Sequence, residues 1–263
     1  MKLSVCLAVY NEEKTLHYAL DSVKDFADEI VLVDGGSDDD TRKIARSYGK
    51  SVRIIETTNP PMFHINKQKA IDAARGDWVL QLDADEQVTE ELKREIQEII
   101  AKGEGEGRPV GYWVPRKNLF LDRFLSKGGV YPDYTLRLYV RGKGRLPCKD
   151  VHENAHVDGD VGYLKSDLLH YADPDFDRYL MRWNRYTSLD ASLLHKQGAR
   201  LSTVSYFILK PLNTFFSMYI RHRGYVDGFA GFVFALFSSI RYWAIYIKVK
   251  MKSNSKHKKE FVV

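Results

Sequence analysis

Residues 78–86, with the sequence WVLQLDADE, decide the fold of this chain and indicate its chemistry. The apolar run that opens this stretch has the length of a buried strand, and it brings Asp83 and Asp85 to the strand's carboxyl end. Two carboxylates one residue apart at a strand end can hold a divalent cation against phosphate oxygens. Acidic pairs at strand ends also occur as helix caps and solvated turns, so the flanking sequence is needed to distinguish a metal site from these structures.

The sequence before this stretch alternates short apolar runs with amphipathic segments, which is typical of βαβ units around a parallel sheet. Ligands of open parallel sheets bind outside the carboxyl ends of the strands. We therefore expect Asn11, Asp34, Asp83 and Asp85 to converge on one place. Strands are predicted at residues 3–9, 29–34, 52–55 and 78–82, and helices at 41–49, at 66–75 and after Leu16.

Length and composition limit the class of protein. A chain of 263 residues with 44% hydrophobic content suits one substantial core with an appendage. The two cysteines, Cys6 and Cys148, provide neither a disulfide framework nor a zinc-type spacing, which favours a reducing cytoplasm. The apolar run at residues 3–9 has no cleavage site after it, and we interpret it as a buried strand instead of a signal peptide.

The motifs at the predicted strand ends carry a family resemblance. They are VYNEE at residues 9–13, VDGGSDD at 33–39, ARGD at 74–77 and the acidic triplet Asp83-Ala84-Asp85. In this order and spacing they resemble family 2 glycosyltransferases. The resemblance implies a GT-A type α/β fold, with a mostly parallel central sheet flanked by helices. It also implies a glycosyltransferase domain over residues 1–172, in which residues 1–102 bind a nucleotide sugar and 103–172 bind the acceptor.

The resemblance assigns roles by motif position. Val9, Tyr10, Asn11 and Glu12 would line the nucleoside pocket, and Asp34 would contact the base. Asp83, Ala84 and Asp85 would address the ribose, the diphosphate and a divalent metal, Mg²⁺ or Mn²⁺. For Tyr10 and Asn11 the alternative is an ordinary strand-to-helix turn.

Three basic residues are further candidates for donor binding. Lys67 and Lys69 fall at the start of a predicted helix, where positive charge and free N–H groups suit a phosphate, although either lysine could equally be an exposed helix charge. Arg137 alternates with Leu136 and Leu138 and should face the cleft, where it can hold a phosphate or the acceptor. An exposed position on the strand is the alternative for Arg137.

The second half carries a narrower resemblance. Residues 131–139 (YPDYTLRLY), 151–153 (VHE) and 169–171 (LHY) resemble lipopolysaccharide core β-1,4-glucosyltransferases, which are inverting enzymes that use UDP-glucose. Inversion needs one general base, which we assign to Glu153, with His152 orienting it or the acceptor. Glu153 could instead pair with Arg137 or Lys149. His170 is predicted to reach the metal or the diphosphate, and a hydrogen-bonded core histidine is its alternative.

Residues 173–263 form the predicted appendage. A long helix is expected from Asp175, and two apolar segments follow at 204–219 and 229–247, the second of which contains Arg241. We predict two amphipathic helices lying in the headgroup region of a membrane, followed by a lysine-rich tail that favours anionic lipid over nucleic acid. An interface between copies of the chain is the alternative for these apolar faces.

Together these features predict an inverting, metal-dependent transfer of a hexose, glucose by the narrower resemblance, from a UDP-sugar. The predicted acceptor is a membrane-anchored saccharide such as lipopolysaccharide inner core, at the cytoplasmic face of the inner membrane, with peripheral or monotopic attachment. A polyisoprenyl-phosphate glycosyltransferase is one alternative. A nucleotidyltransferase is another, although residues 10–13 do not supply its Gly-rich basic loop, and a non-catalytic, membrane-bound sugar-binding scaffold is a third.

Overall fold

The computed structural model describes residues 1–103, 105–148 and 155–259, with side chains of the last helix described to Ser253. The predicted general base Glu153 and its neighbour His152 lie outside the described residues. The chain forms two compact units. The first consists of Met1–Lys117 and Asp133–His170, and the second consists of Asn118–Pro132 with the chain from Tyr171 onward.

A mixed sheet forms the centre of the first unit. Parallel pairing joins β1 to β2 and β4, and β2 to β3, whereas β8 runs antiparallel to β4 and β6. The described strands follow the order β3-β2-β1-β4-β8-β6-β12-β5, with β11 also paired to β6. Their bounds are β1 Leu3–Val9, β2 Glu29–Asp34, β3 Val52–Glu56, β4 Trp78–Leu82, β5 Glu86–Val88, β6 Gly111–Phe120, β7 Arg123–Phe124, β8 Asp133–Val140, β9 Gly144–Arg145, β10 His156–Val157, β11 Val161–Tyr163 and β12 Leu168–Asp173.

Helices cover both faces of this sheet. Helices α1 and α4 bury Leu16, Leu20, Leu92 and Ile96 against one face, and each fully buried side chain of this size contributes about 1.5–3 kcal/mol relative to exposure. Helix α3 packs Ala70 and Ile71 on the other face, against Val31, Val79 and Tyr139. The α-helix bounds are α1 Leu16–Val23, α2 Thr41–Ser47, α3 His64–Asp72, α4 Glu90–Lys102, α5 Phe176–Lys196, α6 Lys210–Phe215 and α7 Gly228–Lys259.

The predicted strands at residues 3–9, 29–34 and 78–82 are confirmed to the residue. The predicted helix at 66–75 is shifted, because it begins at His64 and ends at Asp72. Ala73 and Ala74 N–H still donate to the helix carbonyls of Lys69 and Ile71, but the two N–H groups after them have partners outside the helix. Arg75 N–H donates to Glu29 Oε2 at 2.9 Å, and Gly76 N–H donates to Ser4 Oγ at 2.8 Å.

The second unit is mainly helical. Asp175 caps α5, since its Oδ1 accepts a hydrogen bond from Arg178 N–H at 2.7 Å, and this confirms the predicted start of the helix. Helical structure continues through residues 205–221 and includes Pro211, which lies in the first turn of α6. The turns on either side of α6, Ser205–Leu209 and Phe216–Arg221, are wider than an α-helical turn. Among the described residues, Gly224–Ser253 is the one helical segment long and apolar enough to cross a membrane, and 33% of its apolar window is buried.

Gly76 generates a prediction about the stability of the first unit. A Cβ at this position would lie 2.8 Å from Ser4 N and 2.9 Å from Lys2 O, which are backbone atoms of β1 and its approach. We expect Gly76→Ala to lower the free energy of unfolding by about 1–3 kcal/mol through overpacking. Urea unfolding followed by circular dichroism would measure it. Gly105→Ala is the control, since its Cβ would meet only the Arg108 side chain, at 3.4 Å; equal stability of both variants would contradict the prediction.

Candidate active site

The loops after β1 and β2 form one wall of the candidate site. Asn11 has a backbone φ of 57°, in the left-handed region that asparagine tolerates better than most residues. Its N–H donates to Ser37 Oγ at 3.0 Å, and its Oδ1 accepts from Asp38 N–H at 3.0 Å. Glu12 N–H donates to Thr41 Oγ1 at 2.7 Å. These bonds join the two loops at the carboxyl edge of the parallel strands, as the sequence predicted for Asn11.

Asp34 ends β2 and is fully buried. Its Oδ2 accepts hydrogen bonds from Gly36 N–H and Ser37 N–H, each at 3.1 Å, and Arg42 lies 3.8 Å away. The carboxylate therefore holds the shape of the loop that follows it. A direct contact between Asp34 and a nucleotide base stays a prediction.

The acidic triplet lies in a tight turn between β4 and β5. Glu86 N–H donates to Asp83 O at 3.1 Å, and Asp83 N–H donates to Glu86 Oε2 at 2.9 Å. Ala84 is buried beneath the turn, whereas Asp83 and Asp85 are partly exposed. The Glu86 carboxylate thus closes the turn from its far end, and this fixes the directions in which the two aspartates leave it.

Two cations meet the Asp83 carboxylate. Lys67, on the first turn of α3, forms an ion pair with Asp83 Oδ1, and Arg137 of β8 forms one with Asp83 Oδ2 at 2.7 Å. Arg137 also lies 2.6 Å from Glu86 Oε1 and hydrogen-bonds Gln81. Both cations are buried, so the exposed positions considered for Lys67 and Arg137 are wrong.

The ion pairs continue away from the acidic turn. Arg116 of β6 lies 3.3 Å from Glu86 Oε1 and 2.7 Å from Asp133 Oδ2. Three cations and three carboxylates therefore meet in one partly buried network, whose charges balance. Such a balance is required because an unpaired buried charge costs several kcal/mol, roughly 3–5 when one partner of a pair is removed.

Protonation in the network follows from these contacts. Burial disfavours the ionised Asp83 carboxylate, but Arg137 and Lys67 outweigh that effect and hold the pKa of Asp83 well below its usual range. Burial likewise disfavours the charged form of Arg137, yet Asp83 and Glu86 raise the pKa of its guanidinium above the ordinary value. Asp83 and Arg137 therefore stay charged at neutral pH.

Asp85 meets His170 on the open side of the turn. Strand β5 pairs antiparallel with β12, and His170 stands opposite Glu86 in their register. This pairing brings His170 Nε2 to 3.5 Å from Asp85 Oδ2, with side chains 13% and 18% exposed. A carboxylate oxygen and an imidazole nitrogen are suitable ligands for Mn²⁺ or a similar divalent ion. Within the described part of the chain, no group of three or more such ligands forms a complete metal site.

The remaining predicted residues lie at different depths. Tyr10 is 44% exposed at the end of β1, and Val9 before it is buried in the core. Lys69 is exposed on α3, and its Nζ donates to Thr57 Oγ1 at 2.9 Å. This places Lys69 beside the loop that follows β3, separate from the Lys67 contact with Asp83. The donor-binding roles of Tyr10 and Lys69 stay predictions.

Sequence reasoning missed several residues that shape the site. Glu86 and Gln81 flank the acidic triplet, yet nothing local distinguishes them from ordinary strand residues. Asn66 of α3 is buried, and its Nδ2 donates to Thr58 O at 2.9 Å, below the turn that contains Gly35. Arginines within strands, Arg137 in β8 and Arg116 in β6, were the available signals for the network, and only Arg137 was singled out.

Comparisons with known proteins identify the class. Residues 4–117 match Glycosyl transferase family 2. The chain is 28% identical, over 244 residues covering 91% of it and 88% of the relative, to the lipopolysaccharide core biosynthesis glycosyltransferase LpsC of Rhizobium meliloti. It is 35% identical, over 185 residues covering 59% of it and 57% of the relative, to the dolichyl-phosphate beta-glucosyltransferase ALG5A of Trichomonas vaginalis.

The fold has a solved counterpart. TarS of S. aureus, residues 1–349 in complex with UDP, superposes with a TM-score of 0.50 at 16% sequence identity, covering 100% of this chain and 93% of that TarS fragment. The likeness confirms the predicted GT-A fold. The family 2 match over residues 4–117, with the likeness to LpsC over most of the chain, shows that this chain is a glycosyltransferase. This favours the predicted activity over the nucleotidyltransferase and scaffold alternatives.

The Asp83 ion pairs generate a prediction about acid stability. Ionised Asp83 stabilises the folded chain at any pH above the ordinary aspartate pKa of about 3.9, and the contribution is lost as the pH falls towards its lower pKa in the folded protein. Below about pH 4 the free energy of unfolding of the wild type should therefore fall. In Asp83→Asn, which has no carboxylate at this position, we expect the fall to be smaller by on the order of 1–3 kcal/mol. Urea unfolding across pH would measure the slope. Asp122→Asn, which changes an exposed aspartate, should keep the wild-type slope, and an unchanged slope in Asp83→Asn would contradict the prediction.

Proposed function

We propose that the chain transfers a hexose, glucose in the first instance, from a UDP-sugar to a membrane-anchored saccharide with inversion at the anomeric carbon. The observation that supports this most directly is the pairing of Asp85 with His170 beside the charge-balanced Asp83. This arrangement offers a hard cation two ligands of suitable chemistry at the carboxyl edge of the sheet, where a nucleotide diphosphate would bind.

Asp85 and His170 are the residues that would hold the divalent metal, Mg²⁺ or Mn²⁺. When bound, the metal neutralises charge on the departing nucleotide diphosphate. Asp83 has a different part in this proposal. Because Lys67 and Arg137 already balance its charge, Asp83 orients these two cations at the donor and contributes less to metal binding than Asp85 does. Asp83, Asp85 and His170 therefore all remain proposed residues of the metal and donor site.

The first three loops bind the nucleotide in this proposal. The exposed ring of Tyr10 can stack on a base, and the bonded pair of Asn11 and Ser37 keeps the loop in one conformation before the donor arrives. A site that is formed in advance loses less conformational entropy on binding. Lys67 and Lys69 add positive charge at the side of α3, where the diphosphate needs it.

Glu153 is the proposed general base, with His152 as the residue that orients it. Inverting transfer requires one carboxylate that removes the proton from the acceptor hydroxyl while the diphosphate leaves from the opposite face of the sugar. Glu153 follows β8 and β9 in the acceptor half of the sequence, which supports its assignment to the acceptor instead of the donor.

The acceptor is the least constrained part of the proposal. The likeness to LpsC supports a lipopolysaccharide core saccharide, whereas the likeness to a dolichyl-phosphate glucosyltransferase supports a polyisoprenyl phosphate as the second candidate. Both are lipid-linked, so either places the enzyme at a membrane surface, which we propose to be the cytoplasmic face of the inner membrane. Transfer assays with the two acceptor classes would discriminate between them.

The experiment that tests the donor assignment is turnover of a panel of nucleotide sugars with Mn²⁺, with Mg²⁺ and with a chelator. Selective, metal-dependent use of UDP-glucose would support the proposal. Equal use of other donors would reject glucose, and undiminished turnover in excess chelator would reject the metal.

Substitution of the Asp85 and His170 pair should remove metal binding while the fold persists. We expect Asp85→Asn or His170→Ala to weaken Mn²⁺ binding in calorimetric titrations with UDP, and to lower metal-dependent turnover by about 10²-fold or more. His17→Ala and Asp21→Asn, which change an exposed histidine and an exposed aspartate of α1, are the matched controls and should retain both properties. Wild-type Mn²⁺ affinity in the Asp85 and His170 variants would exclude these residues as ligands.

Glu153→Gln should separate binding from chemistry. The amide keeps the size of the side chain but cannot accept the acceptor proton, so we expect UDP-sugar affinity to stay within about twofold and transfer to fall by about 10²–10⁴-fold. Glu106→Gln is the control, because Glu106 is an exposed glutamate between α4 and β6. Full transfer by Glu153→Gln would remove this residue from the mechanism.

A further inference from the structure

The helical segment before α7 exposes a continuous row of apolar side chains in the second unit. Five residues at intervals of four, each 50–58% exposed, form what we call the apolar stripe: Val204, Ile208, Leu212, Phe216 and Ile220. At about 1.5 Å per helical residue the stripe is roughly 24 Å long. An exposed apolar row of this length marks an interaction surface.

The opposite face of the same segment is already packed. Phe207 stacks on Trp243 of α7 with ring centroids 6.0 Å apart, and Phe215 meets Phe232 at 6.0 Å. Trp243 Nε1 donates to Phe207 O at 3.0 Å. The segment is therefore held on α7 by one face, and the apolar stripe is the face left for another partner.

Charge around the stripe selects the partner. Residues 199–253 contain eight Lys or Arg and a single acidic residue, Asp227. Asp227 is buried, and its carboxylate accepts hydrogen bonds from Ser126 and Lys127 N–H. The surface that this part of the chain presents therefore carries exposed cations but no exposed acid.

The cations lie at both ends of the stripe. Arg221 and Arg223 are exposed directly after Ile220. At the other end, Thr203 shares a 2.7 Å hydrogen bond with Tyr246 of α7, whose ring lies 5.7 Å from the Lys250 ammonium. An apolar row with basic residues at both ends complements the interface of a bilayer that contains anionic lipids.

Packing of α5 along α7 decides whether the segment lies on the bilayer or crosses it. Trp183 Nε1 of α5 donates to Phe237 O at 3.0 Å, Asp190 pairs with Arg241 at 2.5 Å, and Lys248 donates to Asn184 Oδ1 at 2.7 Å. These contacts hold the middle of α5, residues 183–190, against α7. If α7 crossed the hydrocarbon, it would carry the charged side chains of α5 with it, and such charges are costly in hydrocarbon.

We propose that the apolar stripe is the surface by which this protein lies on an anionic lipid bilayer, in the plane of the headgroups and without spanning. The inference rests on the proposed function in one respect, since a lipid-linked acceptor is what makes the bilayer the relevant surface. The stripe inserts its five apolar side chains, while Arg221, Arg223 and Lys250 remain at headgroup level.

Vesicle flotation of the full chain tests the proposal. We expect the wild type to float with vesicles of phosphatidylcholine and phosphatidylglycerol, and to bind vesicles of phosphatidylcholine alone more weakly. Ile208→Ser/Phe216→Ser should lower the affinity for the mixed vesicles by at least about tenfold, because two apolar side chains no longer insert into the bilayer. Arg221→Gln/Arg223→Gln should remove part of the preference for anionic vesicles.

The matched control changes two exposed apolar residues of α5. Met181→Ser/Leu193→Ser removes side chains that are 69% and 57% exposed but lie among charged residues outside the stripe. Its vesicle affinity should stay within about twofold of wild type, since it removes similar apolar area from a different surface. Circular dichroism of each variant confirms that the fold is intact.

Two results would overturn the proposal. One is wild-type flotation by Ile208→Ser/Phe216→Ser. The other is a wild type that does not float but sediments as a dimer that this variant dissociates, which would assign the stripe to a second copy of the chain. Metal-dependent donor turnover in detergent is measured in parallel. Flotation without turnover would reject the proposed function but support the apolar stripe as a membrane-binding surface. Turnover without flotation would support the proposed function but reject the stripe as that surface.

Discussion

The buried position of the Arg137 guanidinium is the constraint on which the site depends. An arginine at this depth cannot shed its proton, so the fold has to supply carboxylates around it. Asp83 and Glu86 do so from the two ends of one turn, and Arg116 with Asp133 extends the balance. The acidic turn therefore takes its shape from a requirement for neutrality, before any ligand is considered.

This requirement divides the two aspartates of the triplet. Asp83 faces two cations, whereas Asp85, two residues later, lies beside the imidazole of His170. The difference follows from the turn, in which the buried Ala84 separates side chains that point to different surroundings. A motif that the sequence presents as two equivalent carboxylates has, in the folded chain, one carboxylate paired with two cations and one beside a second candidate metal ligand.

The elements could be predicted from sequence because their signals are local. Strand β4 is an apolar run that ends in an acid, and the Asp175 cap precedes a periodic helix, so both were placed correctly. The end of α3 was misplaced because the chain tightens at Ala74, whose N–H donates to Ile71 O, and because Glu29 and Ser4, distant in sequence, accept from the next two N–H groups. The ion network escaped prediction for the same reason, since the Arg137 pairs with Asp83 and Glu86 join residues more than fifty positions apart.

Among the described residues 199–253 no acid is exposed, and this affects the rate at which the protein reaches a bilayer if the apolar stripe binds one. Attraction between exposed cations and anionic headgroups acts over a screening length of about 8 Å in physiological salt, so it governs how often the protein arrives. Apolar side chains act only on contact, and they govern how long it stays. Arrival and residence would then be set by different residues of one surface, and the ionic strength of the surrounding solution would change only the rate of arrival.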